Sequence, residues 1–600
     1  MHSTSPLTAS VQGTPIEMPP SWQDDGFRDT LPAILAAWAR AHGTDPALTV
    51  LDHRGKPHAR AGTLTWRELD RRTGDLAAFL RRTCRPGQRA ALLMDQGADY
   101  VVALLGVIRA GLIAVPLFPP ARGESCRQLA NAVLDADPSV ILTTSNLLGP
   151  TKSFVDEFRR APVQLAAVDT LPPLRGGVPP CPEPGPDDLA CLQYQAQAVG
   201  RASAVMFSQA NLVAGARQAA GALGIRRGHN TSVSWLPLFE HLGLLLGLLT
   251  PLVAGIQTVL LHPSAFHDDP LNWLRALANY PGAVGAAPNA AYAFCVSRIA
   301  LRDRAELRLH GVAALADVGD SVRPEVANRF TAAFAEYGLR PWVYRPCYGL
   351  VEATALVAAT EGEHTETAFY RAQLALGRAV PTVPGEVDAV TLVAAGVPRR
   401  QQVCVVDTAT RTPVPDGRVG EIWVSGPNVA RGYWRRSEAS TETFCVLLAG
   451  AAEAGEPCWW LRTGDLGVQY GGQLYVTGRV SDVLTVDGRS HYPQDVEATA
   501  ESAHPAIAAH QVCAFTALFD DGPRAVLVAE RATWVFVEEL DEAEVAAAIR
   551  RAVAVEHGLA LREVLLLGPG LLPRTPGGTA ARARCRERYL AGGLGSGWQE

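Results

Sequence analysis

The stretch Arg89-Ala90-Ala91-Leu92-Leu93-Met94 reads as a short apolar strand. The segment from Tyr100 to Ala110 follows as a helix that Gly111 ends, and Leu112 to Pro116 is the next strand. Strand–helix–strand alternation of this kind predicts an α/β domain with a mostly parallel sheet. Working outward, the pattern recurs at Ser139–Leu142, Ala190–Tyr194, Ser232–Leu236 and Thr258–Leu261. Upstream, Leu31, Ile34, Leu35 and Trp38 stand at helical spacing over 31–42, and Thr65-Trp66-Arg67-Glu68 matches a capping box that opens a second helix. Gly478 to Arg489 reads as a junction. Beyond it lies a smaller α+β piece, with helices at Pro493–His504 and Glu542–Glu556 and strands near Val512–Phe515 and Ala525–Ala529.

Composition narrows the classes. The chain has 600 residues, 48% hydrophobic and 19% charged, which suits a globular protein with a large core and more than one domain. Net charge is −6 and no dense basic block occurs, so the electrostatic footprint of a nucleic-acid binder is absent. Met1 to Pro20 lacks a basic region followed by an apolar run, and Leu242 to Leu249 is too short to span a bilayer. Cytoplasm is the default. The eleven cysteines are scattered and never form a C-x-x-C pair, so they read as reduced thiols without a zinc site. Only two lysines occur, Lys56 in a turn-rich segment and Lys152 in a loop; all other basic charge is arginine.

Six stretches, in this order, resemble the fatty acyl-AMP ligase branch of the adenylate-forming superfamily: Leu64–Leu69, Ala110–Pro116, Ser234–Leu238, Pro346–Thr354, Arg462–Gly467 and His491–Glu497. The likeness runs from about Leu31 to Leu590. It implies a large adenylate-forming domain of mixed, mostly parallel sheets with flanking helices over 30–478, and a small α+β lid over 483–592. A hinge at 479–482 joins them. Residues 1–29 are expected to be disordered or extended, and 593–600 form a tail. The resemblance also implies an insertion after the glutamate motif, for which Gly362 to Gly377 is the candidate. In such enzymes a carboxylate attacks the α-phosphate of ATP, and the acyl group then passes to a carrier-protein thiol. That chemistry needs a phosphate cradle, a lysine at the α-phosphate and a magnesium held by a glutamate. The remnants of the nucleotide site are Tyr348, Gly349, Glu352 (magnesium-type), Asp465 (ribose hydroxyls) and Arg479.

The chain departs from the family pattern where phosphates would sit. The loop pattern T-S-G-S-T-G-x-P-K-G is replaced by Gln195, Ala196, Gln197, Ala198, Val199, Gly200, Arg201, Ala202, Ser203 and Ala204. Hydroxyl donors have become Ala and Val, which cannot donate, and the loop lysine is Ser203. The terminal lysine falls on Thr579. Arg574 or Arg582 is the conceivable substitute, though a planar guanidinium is no simple replacement. Glu240 would bring negative charge toward a triphosphate, and Val318 puts a branched side chain in the adenine-facing segment Asp317–Ser321. If the register holds, Ala196, Ala198 and Val199 come within side-chain reach of Glu352. The acyl side keeps Trp235, Glu240, Gly243, Pro288 and Asn289, with the apolar run Gly243 to Leu249 as a lining.

The resulting expectation is a ligase-like protein with a degraded ATP site. It would bind an acyl chain, an acyl-carrier protein or an assembly-line enzyme in lipid, polyketide or peptide biosynthesis. The alternatives are a divergent ligase that still activates a carboxylic acid, with ATP and magnesium as cofactors only in that case, and a purely structural subunit.

Overall fold

The computed structural model describes residues 29–52, 59–120, 124–158, 162–171, 183–194, 203–319, 321–354, 356–450, 458–486, 489–536, 541–574 and 580–594. The expectations for 1–28, Lys56, Gln195 to Gly200 with their reach to Glu352, Asp320, Thr579 and 595–600 lie outside the described residues.

Strands Arg89–Leu93 and Ile113–Leu117 pair in parallel, Ala90 opposite Ala114. Their side chains are almost all buried, as expected of a parallel sheet covered on both faces. Helix Ala98–Arg109 connects them, and a Schellman motif ends it. Gly111 adopts φ +78°, its N–H bonds to Ile108 O at 3.1 Å, and Leu112 N–H bonds to Val107 O at 3.1 Å. The six-stranded sheet runs Gln164–Ala167, Val140–Thr143, Arg89–Leu93, Ile113–Leu117, Leu189–Tyr194, Ala204–Ser208, with only the last pair antiparallel. A nine-stranded sheet has a parallel centre: Tyr344–Tyr348, Val312–Asp317, Ala283–Ala287, Thr231–Ser234, Gln257–Leu260 and Pro46–Asp52. A five-stranded antiparallel sheet, which includes Gly420–Ser425, Leu461–Tyr470 and Gln473–Arg479, completes the large unit.

Local expectations fare unevenly. The capping box closes in both directions, with Glu68 N–H donating to Thr65 Oγ1 at 3.3 Å and Thr65 N–H to Glu68 Oε2 at 2.8 Å. The strand read as Ser232–Leu236 stops at Ser234, because Leu236 N–H turns back onto Ser234 Oγ at 3.3 Å ahead of Pro237. Lys152 sits on helix Leu148–Phe158 instead of a loop; Pro150 falls in its first turn, where a missing N–H costs nothing. The candidate insertion is a β element: strand Glu366–Tyr370, a short helix Arg371–Ala375, and a returning antiparallel strand Ala389–Val393.

Past Arg479, helix Pro493–Ala503 and helix Glu542–His557 pack with the sheet Ile507–Phe519, Gly522–Arg531, Leu561–Leu567. Val496, Ala500, Val512, Leu527, Ile549 and Val553 form an apolar cluster of their own there, separate from the main core.

Candidate functional site

Five strands deliver their carboxyl ends to one crevice. Tyr194 and Tyr348 close Leu189–Tyr194 and Tyr344–Tyr348; Trp235, Pro288 and Gly319 lie just beyond Thr231–Ser234, Ala283–Ala287 and Val312–Asp317. All five line a cleft of about 1250 Å³. Ligands of open α/β sheets bind at such ends, because the loops there are free to vary while the strands hold them. The opposite wall comes from the C-terminal unit, through Tyr492, Gln494, Asp495, Ala580 and Arg582.

The retained motif residues share one wall. Tyr348, Gly349, Glu352, Asp465 and Arg479 all line the cleft. Tyr348 Oη donates to Asp465 Oδ2 at 2.8 Å, and Arg479 Nε donates to Asp465 Oδ1 at 2.7 Å. Burial and then the Asp465 charge push the Tyr348 phenol far above its ordinary range, while Asp465 holds Arg479 firmly cationic. Tyr433 Oη donates to Glu352 Oε1 at 2.9 Å. Cys347 is on the same wall, and burial pushes its thiol up, so it stays protonated and is a packing residue.

Every arginine lining the cleft already holds a carboxylate. Arg323 pairs with Glu501 at 2.8 Å, Arg371 with Asp495 at 2.7 Å and Glu556 at 3.0 Å, and Arg462 with Glu421 at 3.1 Å. Arg479 pairs with Asp465 as above. Arg582 holds Asp482 at 2.8 Å and Glu497 at 2.6 Å, and donates to Ala514 O at 3.0 Å. No lysine lines the cleft among the described residues. Arg574 is paired with Glu530 at 2.5 Å and does not line the cleft.

Other expected site residues are placed as follows. Val318 is fully buried in the main core and does not line the cleft, so it is no obstacle to an adenine. Gly243 to Leu249 forms a π-helix whose seven residues are all buried and do not line the cleft. Gly243 itself is set by a close approach, since a Cβ there would stand 2.1 Å from Pro237 O. Asn289 is buried and spends its amide on Asp317 Oδ2 at 2.6 Å. The acyl set therefore divides: Trp235, Glu240 and Pro288 line the cleft, whereas Gly243 and Asn289 stand behind it. Ser203 precedes strand Ala204–Ser208 and is off the wall.

Glu240 is not the fixed negative charge the sequence suggests. Burial raises its carboxyl to about 7, so near neutral pH it is only partly ionised. Burial lowers the neighbouring His241 to about 4, which keeps that imidazole neutral on the cleft wall. Two residues escaped the sequence reading: Gln193, whose signal was a lone amide in an apolar strand, and Tyr433, which had none.

A sheet switch-point cleft roofed by a small C-terminal unit defines the adenylate-forming class. The AMP-binding enzyme family matches residues 35–434, and this chain belongs to it. Residues 481–596 match the AMP domain of the Disco-interacting protein 2-like kind. The long-chain-fatty-acid–AMP ligase FadD26 of Mycobacterium marinum is 34% identical over 580 residues, covering 94% of this chain and 98% of that protein. FadD32 of Mycolicibacterium smegmatis, a ligase of the same description, is 35% identical over 605 residues, covering 94% and 95%. The crystal structure of the fatty acid AMP ligase from Legionella pneumophila superposes with a TM-score of 0.71 at 26% identity, over 96% of this chain and 98% of that one. The chain is thus fatty acyl-AMP ligase-like. No described helix is long and apolar enough to cross a membrane.

Proposed function

We propose that this protein keeps the ligase architecture but has lost ordinary adenylation, and that it binds an acyl chain or an acyl-carrier partner of a biosynthetic assembly line. In this reading 30–478 is the adenylation core, 479–482 the hinge and 483–592 the lid, and the protein works in the cytoplasm. The observation that carries it is the commitment of every cleft arginine to a carboxylate, in a cleft without a lysine among the described residues. Among the described residues, a triphosphate entering there meets no arginine or lysine on the cleft wall that is not already paired with a carboxylate. The sequence adds Ser203 and Thr579 at the two lysine positions and Ala or Val at the loop hydroxyls. Losing one positioned donor costs on the order of 10² to 10³ in rate, and here several are gone together. Of the substitutes a divergent ligase would use, Arg201, Arg574 and Arg582, the last two are held by carboxylates of their own and Arg201 lies outside the described residues.

The alternative, a divergent ligase, draws on the intact Tyr348–Asp465–Arg479 group, which could still hold a ribose. Magnesium would have Glu352 as its protein ligand there, and would neutralise phosphate charge. Calorimetric titration with ATP–Mg²⁺ beside a fatty-acid panel, with pyrophosphate release measured in parallel, separates the two. Acyl binding without ATP binding is the expected result. Robust acyl-adenylate formation would overturn it in favour of the divergent enzyme.

A further inference from the structure

Two orphan acceptors line the same cleft, on segments joined through the Gln193–Phe239 hydrogen bond. Gln193 Nε2 donates to Phe239 O at 2.7 Å, which orients the amide and leaves its Oε1 as the outstanding acceptor. That Oε1 is buried with no hydrogen-bond partner among the described residues, and so is Oε1 of Glu240, the residue next to Phe239. Both side chains line the cleft. A buried polar atom without a partner costs free energy, and such atoms in a cavity mark where a ligand would supply the missing bond. A single ligand group that serves both must donate more than once. A carboxylate brings only acceptors, and a hydroxyl brings one hydrogen; an ammonium brings three. Charge points the same way, because each of the five cleft arginines among the described residues is already paired with a carboxylate.

We propose that the cleft takes an apolar-chain ligand bearing an amine, with its ammonium hydrogen-bonded by Gln193 Oε1 and the Glu240 carboxyl. This rests on the reading of the cleft as an acyl site, and not on the loss of adenylation. Burial that raises the Glu240 carboxyl leaves it poised to ionise when a cation arrives, which adds an ion pair to the hydrogen bonds.

The test uses the full chain without nucleotide and three ligands of one chain length: octylamine, octanol and octanoate. Calorimetry is expected to show octylamine binding at least about tenfold more tightly than octanoate. Glu240→Gln, checked for folding by its melt, should abolish that preference. Octanoate binding as tightly as octylamine in the parent protein sinks the proposal, as does an unchanged preference in folded Glu240→Gln. If octanol and octanoate bind while octylamine does not, the amine assignment fails alone. If none of the three binds, the acyl-site reading fails with it.

Discussion

Glu240 leaves a signature in stability as well as in binding. Its carboxyl titrates near 7 in the fold against an ordinary 4.5, because burial disfavours the charged form. A raised folded value contributes stability that is complete below the unfolded value and lost as pH rises through the folded one. The loss amounts to roughly 3 kcal/mol above pH 7. Glu240→Gln should therefore pull ahead of the parent in denaturant midpoint between pH 5 and pH 8; parallel curves would refute the buried, unpartnered carboxyl. His510 works in the opposite sense. Burial, aided by Arg323 and Arg329, lowers it to about 4, so its contribution is present above pH 6.5 and lost as pH falls toward 4. His510→Asn should flatten the acid limb of the stability profile, and asparagine tolerates the φ of +60° found there. Motif residues such as Tyr348, Glu352 and Asp465 were legible at this scale because a motif fixes both identity and place. Tyr433 was not, since its bond to Glu352 joins positions 81 residues apart and leaves no local pattern.

Among elements, those with local punctuation were the readable ones. Helix Trp66–Thr83 announces itself through Thr65 and Glu68, and helix Ala98–Arg109 through Gly111. Gly111→Ala should lower stability by about 1 kcal/mol, through the left-handed φ it forces on a side chain. A melt unchanged from the parent would show that the Schellman end carries no weight. Gly243 to Leu249 could not be assigned an element from its pattern, because a stretch apolar on every side carries no period, and the structure makes it a π-helix. The Gly149-Pro150 pair misled for a different reason, since proline is as much at home in a first helical turn as in a loop.

Across the whole molecule, the parallel-sheet architecture was legible because strand and helix alternate over hundreds of residues. The state of the cleft was not, because whether an arginine is available depends on carboxylates that folding brings to it from far along the chain. Pyrophosphate release with fatty acids and ATP–Mg²⁺ should stay barely above background, and Thr579→Lys alone should recover little of it; a strong gain from that one change would mean that the phosphate cradle is still functional. The contacts between the two units carry a further consequence. Asp495 and Glu501, held by Arg371 and Arg323, belong to the same helix, Pro493–Ala503, and sit about 9 Å apart along it. Arg371 also grips Glu556 on helix Glu542–His557, so the C-terminal unit is pinned through two of its helices, and any turn of it relative to the large unit must first break at least one of these ion pairs.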